Sequence, residues 1–428
     1  MLPTVSLLLL VPVVALGQAT PAPPQPAPTS NVAAQAPSTP ATPAPFTAGW
    51  QNGFALQTQN GDYRLQLGGL GQTDGRFSTD SPLPITNTFT IRKLRPILSG
   101  RLAKYFEFRM MPDFGSGQAA IADAYLDVRF SPAFRVRSGK DKTPVGYELL
   151  LGDATLLFPE RSLVSSLMPN RDIGIQVLGD LAAGKVSYSG GVFNGVPDGA
   201  NVLTEVDTNS DKDFAGRLVV QPWRPSVAAS AGPLDGLGVH VGGSHGSQNG
   251  VLLPVYRTSA GQPYFSYLAS AAPAGNRSRV SPAVFYYFKR AGAFAEYVRT
   301  TQVVARAGVA SDITNAAWDV SGLFNLTGEH ASSGTVTPGR PFDPASGTWG
   351  ALQLVARYAR LSVDDRAFSD GLAAANASQT ATQITVGANW YPVAFIKYYA
   401  TFERTTFEGG NVSRPAEHVV LFRIQFSF

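Results

Sequence analysis

The chain contains no cysteine, only four histidines, and only 15% charged residues in a length of 428. Without cysteine there is no disulfide framework, no thiolate metal site and no cysteine nucleophile. His240, His245, His330 and His418 are scattered, with no HExxH-type spacing, so neither a metal centre nor zinc chemistry is expected. The charged fraction lies below the ~25% of ordinary soluble domains. A net charge of +4 spread so thinly does not make the clustered basic surface of a nucleic-acid-binding domain. No stretch beyond the first 49 residues reaches the ~18 consecutive apolar residues of a membrane-spanning helix. Gly69, Gly71 and Gly75 in GGLGQTDG lack phosphate-cradle spacing and a following lysine, so they read as small residues in a strand. No cofactor and no catalytic residue is expected.

The N-terminus, MLPTVSLLLLVPVVALGQAT, carries an apolar run from Val5 to Leu16 followed by the small residues Ala15, Gly17 and Ala19. The run is too short to span a bilayer and reads as a secretory signal peptide over residues 1–19. Residues 20–48 are rich in Pro, Ala, Thr and Gln and read as an extended spacer without a core.

From residue 49 to 428 the pattern is uniform, with a period of two. In LRPILSGRL, Leu94, Pro96, Leu98, Gly100 and Leu102 fall on one face and Arg95, Ile97, Ser99 and Arg101 on the other. Phe106, Phe108 and Met110 then oppose Glu107 and Arg109, across a tight turn at Ala103 and Lys104. Next, Ala122, Ala124, Leu126, Val128 and Phe130 oppose Asp123, Tyr125, Asp127 and Arg129. The chain ends on such a strand, HVVLFRIQFSF, with Val420, Phe422, Ile424, Phe426 and Phe428 on one side. At roughly 20 to 25 residues per strand and connection, the segment gives about 16 strands: an all-β, transmembrane antiparallel barrel of the outer membrane, wide enough for an aqueous lumen. Short turns (AK, SPA, AAGK) suit the periplasmic end. NGVPDGANVLTEVDTNSDKD and EHASSGTVTPGRPFDPASGTW read as extracellular loops, and NWYPVAF and VFYYF as interfacial aromatics. On this reading the terminal strand closes the barrel with its apolar face toward lipid.

Candidate pore-lining cations concentrate between residues 88 and 142. They are Arg92, Lys93, Arg95, Arg101, Arg109, Arg129, Arg135, Arg137, Lys140 and Lys142, with Lys104 in the turn, against five acids in the same stretch. That local excess exceeds the net charge of the whole chain. A closed barrel would line one wall of its lumen with guanidinium groups, whose planar, always-charged fork suits phosphate. Several spaced weak sites let an anion enter and still leave.

At these residues TIRKLRPILSGRLAKYFEFRMMPDFG, IADAYLDVRFSPAFRVRSGKDKTPVGYE, LFPERS, MPNRDIGIQVLGDL and GGVFNG, with ANWYPV near the end, resemble the phosphate-selective porin O and P family. The resemblance implies a 16-stranded homotrimeric outer-membrane porin for phosphate or oligophosphates, with a basic constriction and an arginine ladder. The family's basic cluster falls on Arg92, Lys93 and Arg95, where the first two do not form an arginine pair. The stretch from Lys142 to Asn170 stands in the place of the inward-folded constriction loop, with Arg161 and the adjacent Arg171 as its further cations. Expected partners are inorganic phosphate or other small anions and outer-membrane lipid.

Three other readings share parts of this pattern. A general porin or a structural surface barrel would have every fold feature and differ only in lumen charge. His245 and Ser247 in SHGSQNG are two apart, as in a histidine-serine lipid hydrolase, but the Gly-rich segment reads as a loop and no third orienting residue accompanies them.

Overall fold

The computed structural model describes residues 46–79, 86–117, 119–201, 210–225, 232–250 and 252–428. The predicted signal peptide and the spacer as far as residue 45 lie outside the described residues. The spacer was expected to run to residue 48, but a strand begins at Phe46.

A hairpin of β1 (Phe46–Trp50) and β2 (Phe54–Thr58) precedes the barrel. The wall begins with β3 (Arg64–Ser78), β4 (Thr88–Leu102), β5 (Phe106–Asp113), β6 (Ala120–Ser131), β7 (Phe134–Lys142) and β8 (Arg171–Leu181). It continues with β9 (Val186–Phe193), β10 (Asp213–Val220) and β11 (Leu237–Asn249), before a small hairpin of β12 (Val255–Arg257) and β13 (Pro263–Ser266). The last wall strands are β14 (Ala272–Phe288), β15 (Ala291–Arg306), β16 (Val309–Asn325), β17 (Ala351–Ser362), β18 (Ser378–Val393), β19 (Ile396–Gly410) and β20 (Glu417–Ser427). Each wall strand pairs antiparallel with the next, and β20 returns to β3 in register from Val419↔Ser78 to Ser427↔Leu70, closing a barrel of 16 strands.

The barrel is inside out relative to a soluble domain. On β20, Val420, Phe422, Ile424 and Phe426 are 36% to 44% exposed, while Leu421, Arg423 and Gln425 are each 1% exposed. Polar residues therefore face the interior and apolar ones the outside, the alternation that hydrocarbon around the wall requires. Among the described residues no helix is long and apolar enough to cross a membrane.

Closure at the last strand depends on close packing. The Phe428 carbonyl accepts from the Gly69 N–H at 2.8 Å, and the Phe428 N–H donates to Gly69 at 3.0 Å. A side chain on Gly68 would place its Cβ 2.6 Å from the Phe428 carbonyl oxygen, so only glycine lets the terminus lie flat. Trp50 covers the site, with its ring 5.6 Å from that of Phe428 and 5.0 Å edge-on to Phe54.

Some turns are as the sequence indicates. Ala103 and Lys104 both take positive φ, 47° and 68°, as a two-residue hairpin turn requires. Two expectations are corrected. Counting strand directions from β3 puts the connection 326–350, which includes EHASSGTVTPGRPFDPASGTW, at the end of the barrel where β3 begins and β20 ends, so it is periplasmic rather than extracellular. SHGSQNG is not a loop either: its residues lie in or next to β11, whose Gly242, Gly243 and Gly246 sit within a continuous ladder to β10 and β14. In VFYYF and NWYPVAF only part of the aromatic set faces outward, since Phe285 and Tyr391 are buried inside.

Gly68→Val should prevent closure, reducing the heat-modifiable folded band on semi-native gels to a minor fraction. Gly49→Ala, at a position with no atom near the added methyl, should fold like the parent.

Candidate functional site

Residues 143–170 fold into the barrel because they are too apolar to stay in water. Val145, Leu149, Leu156, Leu157, Phe158, Leu163, Val164, Leu167 and Met168 are all buried. Most of them pack on the apolar residues of the inner face of β14 to β17, at Phe285, Phe294, Val298, Ile313, Leu323, Val355 and Leu361. Each such side chain removed from water contributes about 1.5 to 3 kcal/mol.

Polar anchors then fix the loop's path. The Glu296 carboxylate accepts the backbone N–H groups of Tyr147 at 2.6 Å and Glu148 at 3.0 Å, at the start of the short helix α1 (Tyr147–Leu150). Barrel side chains donate to successive loop carbonyls: Gln425 to Ala154 (3.0 Å), Lys397 to Leu156 (2.6 Å), Asn389 to Leu157 (2.9 Å), Arg423 to Pro159, and Arg357 to Glu160 (3.0 Å). Gly242 admits the loop's base, since a Cβ there would lie 1.9 Å from the Val145 carbonyl oxygen.

Two further segments fill the same half of the interior. The β12–β13 hairpin buries Tyr256, Tyr264 and Phe265 in the cluster that holds Val145 and Leu149. From the periplasmic end, Ala331 packs against the cluster of Leu157 and Phe158, and Val336 lies on Ala351 and Tyr391. The space that remains adjoins the basic wall. An outer cavity of about 600 Å³ is lined by Arg76, Arg92, Lys93, Glu160, Arg161 and Arg257 among others. An inner cavity of about 670 Å³ is bounded by Arg95, Arg109, Asp153, Lys142, Arg171 and, from below, Thr335 and Thr337.

Between these cavities the loop meets β3, β4 and β20. On β4 the register shifts by one residue: Lys93 pairs with Gln72 and Ile91 with Thr73, leaving Arg92 as the extra residue of a bulge. The bulge turns both Arg92 and Lys93 inward, which strict alternation would forbid. Arg92 forms a two-point contact with Glu160 (2.7 and 3.1 Å), joined there by Arg76 at 2.7 Å and Arg423 at 3.4 Å. Asp153 receives Lys93 at 2.8 Å, Arg161 at 2.7 Å and Arg95, and Arg95 also reaches Asp113 at 2.7 Å. Arg423 holds Asp74 at 2.6 and 2.8 Å. Six cations thus surround four carboxylates. Burial would push the Asp153 carboxyl up, but Lys93, Arg161, Lys142 and Arg95 hold it well below the usual carboxylate range. Glu160 is held low against its burial in the same way, by Arg92, Arg423 and Arg76.

The remaining predicted cations are not the bare guanidinium ladder expected from the local charge excess. Arg101 and Arg129 share Glu107 at 2.8 and 3.1 Å, Arg109 binds Asp123 at 3.2 Å, and Arg135 lies 3.6 Å from Asp180. Arg137 pairs with Asp127 at 2.6 Å and with Asp141, 3.8 Å above the Tyr125 ring. The register accounts for this pairing, because Arg101, Glu107, Asp127 and Arg137 stand directly opposite one another across four strands. Lys142 donates to the carbonyls of Leu149 and Leu151 at 2.8 and 2.7 Å and so holds the loop. Lys140 is buried, and the register sets it beside Ala124 and Ile173. The sequence pattern did not single out Arg76, Asp74, Asp153, Glu160 or Arg423 as site residues, although Arg423 already lay on the polar side of the final strand. His245 points outward and contacts Ser278, not Ser247.

A closed barrel with an apolar exterior and a polar interior crossed by an infolded loop is the architecture of an outer-membrane porin. The chain belongs to the family described as phosphate-selective porin O and P, whose model matches residues 64–428. A comparison with curated proteins finds no match. Among solved structures the fold is similar to an anion-selective porin from Comamonas acidovorans (TM-score 0.53, 12% identity, 86% of this chain and 100% of that one). It is also similar to the outer membrane channel DcaP of Acinetobacter baumannii (0.55, 12%, 87% and 99%). A third similar structure is OmpT, an outer membrane protein of Vibrio cholerae, in its trimer form (0.51, 12%, 86% and 99%). The protein is an outer-membrane channel of Gram-negative type, not an enzyme.

With Asp153 and Glu160 held low, their contribution to loop docking is complete above about pH 4.5, where free carboxylates are ionised. It is lost only as pH falls through the depressed values. Protease cleavage after Arg161 should therefore not rise as pH falls from about 8 to about 5. Asp153→Asn should raise it at neutral pH, because removing one member of a buried ion cluster costs about 3 to 5 kcal/mol.

Proposed function

We propose that the barrel conducts small anions, inorganic phosphate or oligophosphates foremost, past Arg92, Lys93 and Arg95. The observation that carries this reading is the surplus of cations where the loop crosses the interior, six against four carboxylates. Charges in a narrow, low-dielectric-walled lumen act at short range, unlike surface charges screened over ~8 Å at physiological salt. Arg109, Arg129, Arg135 and Arg137 continue the cationic wall below. Since each of these cations already has a carboxylate, a passing anion exchanges for that partner instead of meeting an empty site. This favours shallow, multi-site binding and fast release. The same pairing also favours the second reading, a general porin with only mild anion preference. In this account residues 1–19 direct export, the spacer is dispensable for conduction, and three copies assemble, a reading that the trimer form of OmpT supports.

Zero-current potentials in a salt gradient test the proposal. The parent channel should be anion-selective and blocked by added phosphate. Lys93→Gln combined with Arg95→Gln leaves four cations against four carboxylates, so selectivity should fall toward zero and phosphate block should weaken. A cation-selective parent channel, or a double variant with unchanged selectivity and block, would overturn it.

A further inference from the structure

The outward face of the wall between β11 and β16 carries an apolar groove of about 450 Å³. Its floor is Pro282 and Ala295, and its sides are Val239 and Val241 on β11 and Tyr297 and Trp318 on β15 and β16. These four side residues are 40% to 53% exposed, whereas His240, Glu296 and Asp319 behind them turn their side chains to the interior. Outward polarity changes abruptly above the groove. The next outward residue of β15 is Arg299, set between Val280 and Ala316. It is exposed and has no hydrogen bond or ion pair among the described residues. One outward step higher lies a row of hydroxyl and imidazole groups, with His245 Nδ1 2.8 Å from Ser278 Oγ and Thr301 Oγ1 3.0 Å from Thr314 Oγ1.

The sequence of features along the membrane normal is therefore an acyl-sized furrow, two interfacial aromatics, one uncompensated guanidinium and a line of hydrogen-bonding side chains. Tyr and Trp mark the level where headgroups begin. A cation at that level attracts anionic lipid. We propose that this face binds one phosphate-bearing lipid of the outer leaflet, with an acyl chain in the groove and the phosphate on Arg299, assisted by Ser278 and Thr301. The occupant is a lipid and not a free anion. Arg299 alone is a single exposed charge in screening solvent, and only a ligand with a chain can use the apolar groove beneath it. The proposal rests on the outer-membrane barrel and is independent of what the channel conducts.

The full-length protein in detergent, followed by native mass spectrometry, provides the test, with dioleoylphosphatidic acid, dioleoylglycerol and inorganic phosphate as probes. One phosphatidic acid per chain should bind more tightly than dioleoylglycerol. Arg299→Gln should weaken phosphatidic acid about fivefold, to the dioleoylglycerol level. Ala295→Phe, which fills the groove floor, should weaken both lipids, and inorganic phosphate should displace neither. Single-channel conductance should be unchanged in Arg299→Gln, showing an intact barrel. Equal binding of the two lipids by the parent, undiminished phosphatidic acid binding by Arg299→Gln, or displacement by inorganic phosphate would each overturn the proposal.

Discussion

A peptide N–H or C=O left unpaired in hydrocarbon costs several kcal/mol, and the pairing of β20 with β3 is what spares this chain two open edges. Closure dictates the rest. Once the sheet has no edge, each strand has only a lipid side and an interior side, so the alternation of Phe422, Ile424 and Phe426 with Leu421, Arg423 and Gln425 has one orientation. The terminal aromatic is part of this device and not a frayed tail. Phe428 hydrogen-bonds with Gly69 and lies under Trp50, so the last residue completes the seam.

The closed wall then creates a second requirement, since an interior of this width must be filled or wet. The two halves meet it by different physics. Against β14 to β17 much of the filling is hydrophobic, with apolar residues of 143–170, the β12–β13 hairpin and the 326–350 segment packed among the apolar residues of an inner face that also buries Glu296 and Arg357. Against β3 to β8 it is ionic. A buried guanidinium without a carboxylate would suffer a desolvation penalty of several kcal/mol, and the register supplies partners strand by strand, as in the rung from Arg101 to Arg137. The ion cluster lies where these halves touch, which is why two of its four carboxylates, Asp153 and Glu160, come from the loop and five of its six cations from the wall.

Much of the wall could be read from alternation alone. The faces of Leu94 to Arg101, of Phe106 to Met110 and of Ala124 to Phe130 were legible, because a strand's two-residue period maps sequence parity directly onto inside and outside. Ala122, expected on the outward face, is instead buried at a register shift that exposes Ile121. Parity failed where the backbone breaks it. The bulge at Arg92 brings two consecutive cations inward, and a bulge has no signature in the identities of Arg92 and Lys93. Parity also cannot count strands, so the connection 326–350 looked extracellular from its Gly and Asp content when the direction of β16 makes it periplasmic. The glycines of SHGSQNG suggested a loop although the ladder with β14 runs through them, since neighbouring strands can supply what local propensity lacks.

The amino-acid sequence by itself determined the class of the molecule: its lipid-facing surface, its closing strand and the wall on which its cations stand. Each of these follows from local periodicity and composition, which need no knowledge of distant residues. Only the tertiary structure decided how many of those cations are neutralised, and by which acids. Asp74 meets Arg423, Glu160 meets Arg92, and Asp153 gathers Lys93, Arg95 and Arg161. These contacts link residues as far apart as the first and last strands of the barrel. Charge balance in a lumen is a sum over everything that closure and loop folding bring within a few ångströms, and no window of sequence contains that sum.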